Sequence, residues 1–297
     1  MKNNRLIATI LAGAMLLGFA GCSRKAEDTK IKETEGTTEA AVESTTQAPV
    51  AANVFEGQKV EEGSIVTLGK YNRGHEVGRT DVEWIVLKVE GNKALLITKN
   101  VIDAMPFNEE EYAAGKGEVT WENCTLRKWL NNDFYSRAFT DEERSVILTS
   151  TLKNPDNEAF GTKGGNDTED KVFILSYAEI KEYYGFQYED EEYGGGYNEG
   201  LISSPVDEII GADRCLMWEI YKDTYEKHLK EYGYSEAVIG RKVAEWWTRT
   251  PGVAGNAEGM NSCTVVPVSK YGGVTEKSWR AVYDKRGGVR PVVWVQI

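Results

Sequence analysis

Tyrosines alternate with acidic residues and glycines in one stretch of the chain, EYYGFQYEDEEYGGGYNEG, at residues 182–200. An aromatic ring on a glycine-rich loop offers flat apolar area at low entropic cost, and the phenol adds a hydrogen bond. These properties suit the recognition of sugars or peptides. We expect Tyr188, Tyr193 and Tyr197 to contact a ligand. The alternative is that some rings of the stretch cover the core while its acids form a solvated charge run.

A second candidate is EWWTRTPG, residues 245–252, in a chain that has eight tryptophans. Adjacent side chains of a strand point to opposite faces, so one tryptophan can enter the core while the other meets a ligand. This pattern predicts Trp247 and Arg249 as ligand-binding residues. The alternative is an architectural role, in which at least one of Trp246 and Trp247 is buried and Arg249 bonds the backbone carbonyls of the adjoining turn.

Oxygen-bearing side chains cluster in GTKGGNDTEDK, residues 161–171, the kind of glycine-hinged turn that a calcium ion accepts. The run lacks the spaced ligand set of the helix-loop-helix calcium motif. Its composition favours a solvated turn that precedes the next strand, so we predict no cofactor, with calcium as the alternative. The two histidines, His75 and His228, are far apart in sequence, and no metal site is predicted from them.

Signatures of common enzyme classes are missing from the sequence. It has no G-x-S-x-G elbow, no H-E-x-x-H, no phosphate-binding G-x-x-x-x-G-K and no dinucleotide glycine fingerprint. We therefore predict no catalytic residues. An enzyme built from dispersed carboxylates is the alternative, because hydrolysis of a sugar bond needs only two carboxyl groups at a suitable separation.

The first residues have the order typical of a lipoprotein signal. A basic start with Lys2 and Arg5 precedes an apolar run at residues 6–21, which ends in Phe19-Ala20-Gly21-Cys22. Small residues before a cysteine resemble the bacterial lipobox, which predicts a signal peptide over residues 1–22 and lipidation of Cys22. An ordinary secretory signal is the alternative. We expect the protein on the outer face of the cytoplasmic membrane, with residues 23–55 as a disordered tether, since that segment lacks large apolar side chains.

The net charge of -12 argues against a nucleic-acid partner, which requires a basic face. It also argues against electrostatic adhesion to anionic lipid or teichoic acid. If Cys22 is lipidated, Cys124, Cys215 and Cys263 remain. They permit one disulfide at most, and we expect all three to be buried thiols instead.

Residues 56–297 have the size of a single domain, and their periodicity predicts the order strands, helices, strands. The turn at residues 90–93 joins two apolar runs into a β-hairpin. Residues 120–139 place apolar side chains at helical spacing, and residues 170–175 are predicted as a strand. Thr140 with Glu143, and Ser176 with Glu179, have the spacing of capping boxes. Further helices are predicted from Ser204 and over residues 216–233, and the last strands should return to the first hairpin.

Several stretches together resemble a bacterial surface family known as a domain of unknown function, number 6273. They are VEWIVLKVEGNKALLITKNVIDAMPFN, TWENCTLRKWLNNDFYSRAF, TEDKVFILSYAEIKEYY, WWTRTPG and GGVRPVVWV. Residues 187–242 are longer than is typical of the family and are interpreted as an insertion. The last two motifs also resemble the closing strands of the C-type-lectin-like fold, which implies an α+β domain with mixed antiparallel sheets and helices between its N- and C-terminal strands.

These observations predict a lipid-anchored extracellular binding module with a glycan, cell-wall or protein ligand. An extracellular enzyme that uses dispersed carboxylates, or a structural envelope protein, are the alternatives.

Overall fold

The described part of the chain includes fifteen strands and four short α-helices. The computed structural model describes residues 54–72, 78–112, 117–190, 195–204, 226–227, 230–231, 243–255 and 262–297. The strands are β1 Ile65–Tyr71, β2 Thr80–Glu90, β3 Lys93–Thr98, β4 Asp103–Ala104, β5 Ile147–Leu148, β6 Ser150–Leu152, β7 Thr168–Asp170, β8 Tyr188–Asp190, β9 Gly195–Tyr197, β10 Trp246–Pro251, β11 Thr264–Val268, β12 Gly273–Thr275, β13 Arg280–Ala281, β14 Gly288–Val289 and β15 Val292–Gln296. The helices are α1 Thr125–Trp129, α2 Tyr135–Ala138, α3 Asp141–Val146 and α4 Tyr177–Tyr184.

The first sheet has the strand order β1-β2-β3-β15-β5 and is antiparallel throughout. The predicted hairpin is confirmed as β2 and β3, and its turn contains Gly91 at φ 62°, a conformation that favours glycine. The last strand, β15, lies between β3 and β5 and pairs Val292 with Ile97. The predicted return of the chain to its first hairpin is therefore confirmed.

The second sheet has the order β13-β11-β10-β14-β4 and holds WWTRTPG in β10 and the start of GGVRPVVWV in β14. Its strand pairs are antiparallel except β10 with β14, where Trp246 lies opposite Gly288. Every residue of β10 is buried, so this strand is covered on both faces. Together with β12-β9-β8 and β6-β7, the sheets confirm a mixed α+β fold with mostly antiparallel pairing.

The helices lie between the N-terminal and C-terminal strands, as predicted. The helix expected over residues 120–139 begins after Cys124 and includes a π-helical turn at Leu130–Phe134. Its predicted apolar face is confirmed, because Leu126, Leu130 and Phe134 are all buried. Of the described residues, no helix is long and apolar enough to cross a membrane.

Both predicted capping boxes are present. Thr140 caps α3 and Ser176 caps α4, and in each case the glutamate three residues later bonds back to the cap backbone. The helix predicted from Ser204 lies outside the described residues. Of the helix predicted over residues 216–233, only Glu226, Lys227, Lys230 and Glu231 are described, and they are helical.

The strand predicted at residues 170–175 is wrong beyond Asp170. Residues 171–175 make only an isolated bridge, Phe173 with Val292. Side chains bond part of their backbone: Asn131 Oδ1 accepts from the amides of Lys171 and Val172 at 2.8 and 3.2 Å. The apolar side chains of this segment are nevertheless buried, and an apolar run of this length is also typical of a buried strand.

Candidate functional site

Two tyrosines predicted to bind a ligand lie side by side on the three-stranded sheet. Tyr188 of β8 pairs with Tyr197 of β9, which pairs with Gly273 of β12, so all three belong to one face. The ring centroids of the two tyrosines are 6.0 Å apart, with an interplanar angle of 51°. Tyr188 is 48% exposed and Tyr197 is half-buried. We call this surface the tyrosine face.

A glycine makes room for the ring of Tyr197 beside β12. A Cβ at Gly273 would stand 2.5 Å from Cε1 of Tyr197, so the ring occupies the space of the missing side chain. On the opposite face, a Cβ at Gly196 would stand 2.3 Å from Cγ of Phe186. Val274 belongs to that same face and is buried. The sheet therefore packs one side on the core and turns the tyrosines outward.

Hydrogen bonds fasten the tyrosine face to α4. The amide of Gln187 donates to Tyr197 O at 2.8 Å, and the amide of Asn198 donates to Gly272 O at 3.1 Å. Asn198 Nδ2 also donates to Tyr184 O, the last residue of α4, at 3.0 Å. The rings are thus carried by short strands that are tied to a capped helix, which limits the entropy that a bound ligand would have to remove.

Several residues singled out by the sequence lie outside the described part of the chain. They are Cys22, His75, Tyr193, Cys215 and His228.

Trp246 and Trp247 are both fully buried, and each indole N–H is satisfied by a backbone carbonyl. Trp246 Nε1 donates to Leu201 O at 3.0 Å, and Trp247 Nε1 donates to Met105 O at 2.8 Å. The architectural alternative therefore describes both rings, and Trp247, expected at a ligand surface, is placed in the core. Its neighbours there include Phe107, at a centroid distance of 6.1 Å.

Arg249 is also interior, with 4% of its surface exposed. It forms a two-pronged ion pair with Glu179, in which Nη2 donates to Oε1 at 2.6 Å and Nη1 donates to Oε2. The same guanidinium donates to Ile174 O at 2.8 Å, to Lys153 O at 3.2 Å and to Asn154 Oδ1 at 3.2 Å. Its donors are therefore used to hold three chain segments together.

The loop considered for calcium uses its oxygens within the protein. Asp170 is 2% exposed, and its carboxylate accepts from Arg127 Nε at 2.6 Å, Trp121 Nε1 at 3.0 Å and Thr168 Oγ1 at 2.7 Å. Asp167 pairs with Lys153. In the part of the chain that the structure describes, no group of three or more histidine, cysteine, aspartate or glutamate side chains is arranged to hold a metal.

Cys124 and Cys263 are free, buried thiols. Burial is the main cause that raises the pKa of Cys124 to about 12 and that of Cys263 to about 11. Cys263 Sγ lies 3.3 Å from the Glu118 carboxylate, which raises its pKa further. Both thiols therefore stay protonated near neutral pH and are poor nucleophiles.

Two exposed aromatic residues were not singled out from the sequence. Trp279 is 52% exposed and Tyr283 is 43% exposed, and both flank the edge strand β13. The signal that could have found them is the run KSWRAVYDKR at residues 277–286, where aromatic and basic residues alternate within an acidic chain.

Comparisons with known proteins identify a family but no characterised relative. No curated protein and no solved structure matches the chain. The model of the family described as "Domain of unknown function (DUF6273)" matches residues 91–297, which is more than half of the chain. The chain therefore belongs to the DUF6273 family.

Proposed function

We propose that this protein is a binding module that recognises a glycan through its tyrosine face. The observation that carries the proposal is the pair Tyr188 and Tyr197, held in register on a sheet whose other side packs on the core. Sugar rings present C–H groups that stack on an aromatic face, and the phenols and nearby polar groups can bond sugar hydroxyls. A face of this kind needs no metal and no catalytic group.

A screen of immobilised glycans, followed by calorimetry on those retained, tests the proposal. Tyr188→Ala should weaken binding by about 1–2 kcal/mol, since it removes a half-exposed ring at the centre of contact. Tyr188→Phe separates the contribution of the ring from that of the hydroxyl. Ile65→Ala is the matched control, because Ile65 is 51% exposed on β1 and should leave the affinity unchanged.

Two results would contradict glycan recognition. One is a folded protein that retains no glycan from the screen and instead captures an envelope protein in a Tyr188-dependent manner. The other is glycan binding that Tyr188→Ala leaves unaltered.

The same proposal includes an extracellular setting. Its support is the order of basic start, apolar run and small residues before Cys22, followed by the polar segment at residues 23–55. Labelling of cells with a radioactive fatty acid should mark the wild-type protein and leave Cys22→Ser unmarked. Labelling of the serine variant would contradict lipidation at Cys22.

The proposed fold type is C-type-lectin-like. Its support is the way WWTRTPG and GGVRPVVWV meet in the second sheet, where β10 pairs with β14 and β15 then joins the first sheet. An experimental structure that is compared with C-type-lectin-like domains tests it, and a different strand order in the core would contradict it.

A further inference from the structure

A short basic stretch interrupts this acidic chain next to the tyrosine face. Residues 277–286, KSWRAVYDKR, contain four basic residues and one acidic residue, whereas the whole chain has a net charge of -12. The stretch begins two residues after β12, the third strand of the tyrosine-face sheet, and includes the edge strand β13.

The inward side chains of this stretch fix it to the core. Val282 is fully buried, and the Arg280 guanidinium lies 5.8 Å from the ring of Trp247. Arg280 also forms ion pairs with Glu245 and with Asp284, the latter at 2.8 Å. Arg280 is therefore a structural residue, and the strand that carries its neighbours is held firmly in place.

The outward side chains are aromatic or basic. Trp279 and Tyr283 are 52% and 43% exposed, which makes them two of the four large hydrophobic residues that the described surface exposes most. Lys277, Lys285 and Arg286 of the same stretch are exposed as well. We call this set the basic aromatic patch.

The single acid of the stretch does not cancel this charge. Asp284 accepts hydrogen bonds from Arg286 Nε and Nη2, each at 2.9 Å, and from Arg280 Nε at 2.9 Å. Although burial opposes it, bonding from these two arginines holds the pKa of Asp284 well below its usual range. Asp284 and Glu245 together offset the charges of the two guanidinium groups, whereas Lys285 forms no ion pair with any described residue.

Acidic groups elsewhere on the protein repel an anionic ligand only over a short distance at physiological salt. The Debye length is about 8 Å at 0.15 M, so distant carboxylates are largely screened while contacts within the patch are not. A local basic surface can therefore bind an anion even though the chain as a whole is acidic.

We propose that the basic aromatic patch binds an acidic polysaccharide, with Lys285 and Arg286 facing its carboxylates and a sugar ring stacked on Trp279. The bonds from Arg286 to Asp284 use Nε and Nη2, which leaves Nη1 to meet a ligand carboxylate, and tryptophan offers the largest flat apolar surface of any side chain. This second site is separate in residues and in ligand charge from the tyrosine face, so it does not depend on the function proposed there.

Calorimetry with the whole protein and two matched probes tests this assignment. The probes are oligogalacturonate and its fully methyl-esterified form, which keeps the sugar rings and removes the charges. We expect the acidic probe to bind at least about 10-fold more tightly than the ester. Its affinity should fall when salt rises from about 0.1 M to about 1 M, as the Debye length shrinks from about 10 Å to about 3 Å.

Substitutions test whether oligogalacturonate binds at the basic aromatic patch. Trp279→Ala, and Lys285→Gln combined with Arg286→Gln, should each weaken oligogalacturonate at least about 10-fold. Lys128→Gln removes another exposed lysine and should leave this affinity unchanged. Thermal melting of each variant confirms that it is folded.

Three outcomes would overturn the proposal. They are equal affinity for the charged and esterified probes, a loss caused by Tyr188→Ala but not by Trp279→Ala, and binding to phosphatidylglycerol vesicles without binding to oligogalacturonate. The last result would identify a membrane-binding patch instead.

Discussion

The indole ring of Trp247 lies directly against the backbone of Gly287. A Cβ at position 287 would stand 1.8 Å from Cε2 of that ring, far inside van der Waals contact. The two motifs WWTRTPG and GGVRPVVWV are therefore complementary in shape: the first supplies the ring and the second supplies the glycine that makes room for it. A further contact joins them, because the guanidinium of Arg290 lies 5.2 Å from the ring of Trp246.

Gly287→Ala should destabilise the protein strongly. The added methyl group must displace Trp247 or the strand, and overpacking of a close-packed core typically costs about 1–3 kcal/mol or more. Urea unfolding measures the loss. Gly117→Ala is the control, since a Cβ at Gly117 meets nothing within 4 Å. Equal stability of the two variants would contradict the packing described.

Replacement of either buried tryptophan should be far more costly than replacement of the exposed one. Trp246→Ala and Trp247→Ala each remove a fully buried ring, for which a loss of about 3–5 kcal/mol in the free energy of unfolding is expected. Trp279→Ala should change stability by no more than about 0.5 kcal/mol. Near-wild-type melting of the Trp246 and Trp247 variants would refute the assignment of these rings to the core.

Glu143 and Glu179 occupy the same position in their capping boxes, but we expect them to contribute differently to the free energy of unfolding. Glu143 accepts from the amides of Thr140 and Gly69, each at 2.8 Å, whereas Glu179 accepts from the Ser176 amide and also neutralises the buried Arg249. Glu179→Gln leaves a buried charge unpaired and should cost about 3–5 kcal/mol. Glu143→Gln should cost about 1 kcal/mol. Chemical denaturation of both variants measures the difference, and similar losses would show that the Arg249 ion pair adds little.

Alkaline pH should weaken the fold through its buried thiols. In the folded protein the pKa of Cys124 is about 12 and that of Cys263 about 11, against an ordinary value of 9.0. Unfolding above pH 9.0 therefore releases protons, so this contribution is fully present below that pH and is lost as the pH rises through 11 and 12. Urea unfolding at about pH 8 and about pH 10 should show a smaller drop for the double variant Cys124→Ala, Cys263→Ala than for wild type. An equal loss of stability in the double variant and in the wild type would contradict the thiols as its cause.

Some parts of the fold depend only on residues that are close together in the sequence, and these parts could be predicted. The hairpin around Gly91 and the capping boxes at Thr140 and Ser176 each depend on a few neighbouring residues, and all three are confirmed. The error at residues 171–175 has the opposite origin, because Asn131 bonds their backbone from about 40 positions earlier in the chain. A hydrogen bond between residues so far apart does not produce a periodic pattern in the sequence.

The candidate site was less accessible to sequence reasoning. Alternation along a strand indicates a solvent side only where one face is exposed, and β10 is buried on both faces. Trp247 and Arg249 are residue types that are common on binding surfaces, but both side chains are buried in the core. The exposure of Trp279 depends on β13 being a sheet edge, which only the strand order reveals.

The position of β15 has a consequence for how the chain folds. This strand completes the first sheet between β3 and β5, and Gln296 bonds Asn92 across 204 positions. The outer edge of β3 stays unpaired until almost the whole sequence is available for folding. Closure of so long a loop is slow, and an open hydrophobic edge invites association with other chains in the meantime. Folding of this protein is thus a late event, and its rate should depend on residues 292–296 more than on the hairpin that forms first.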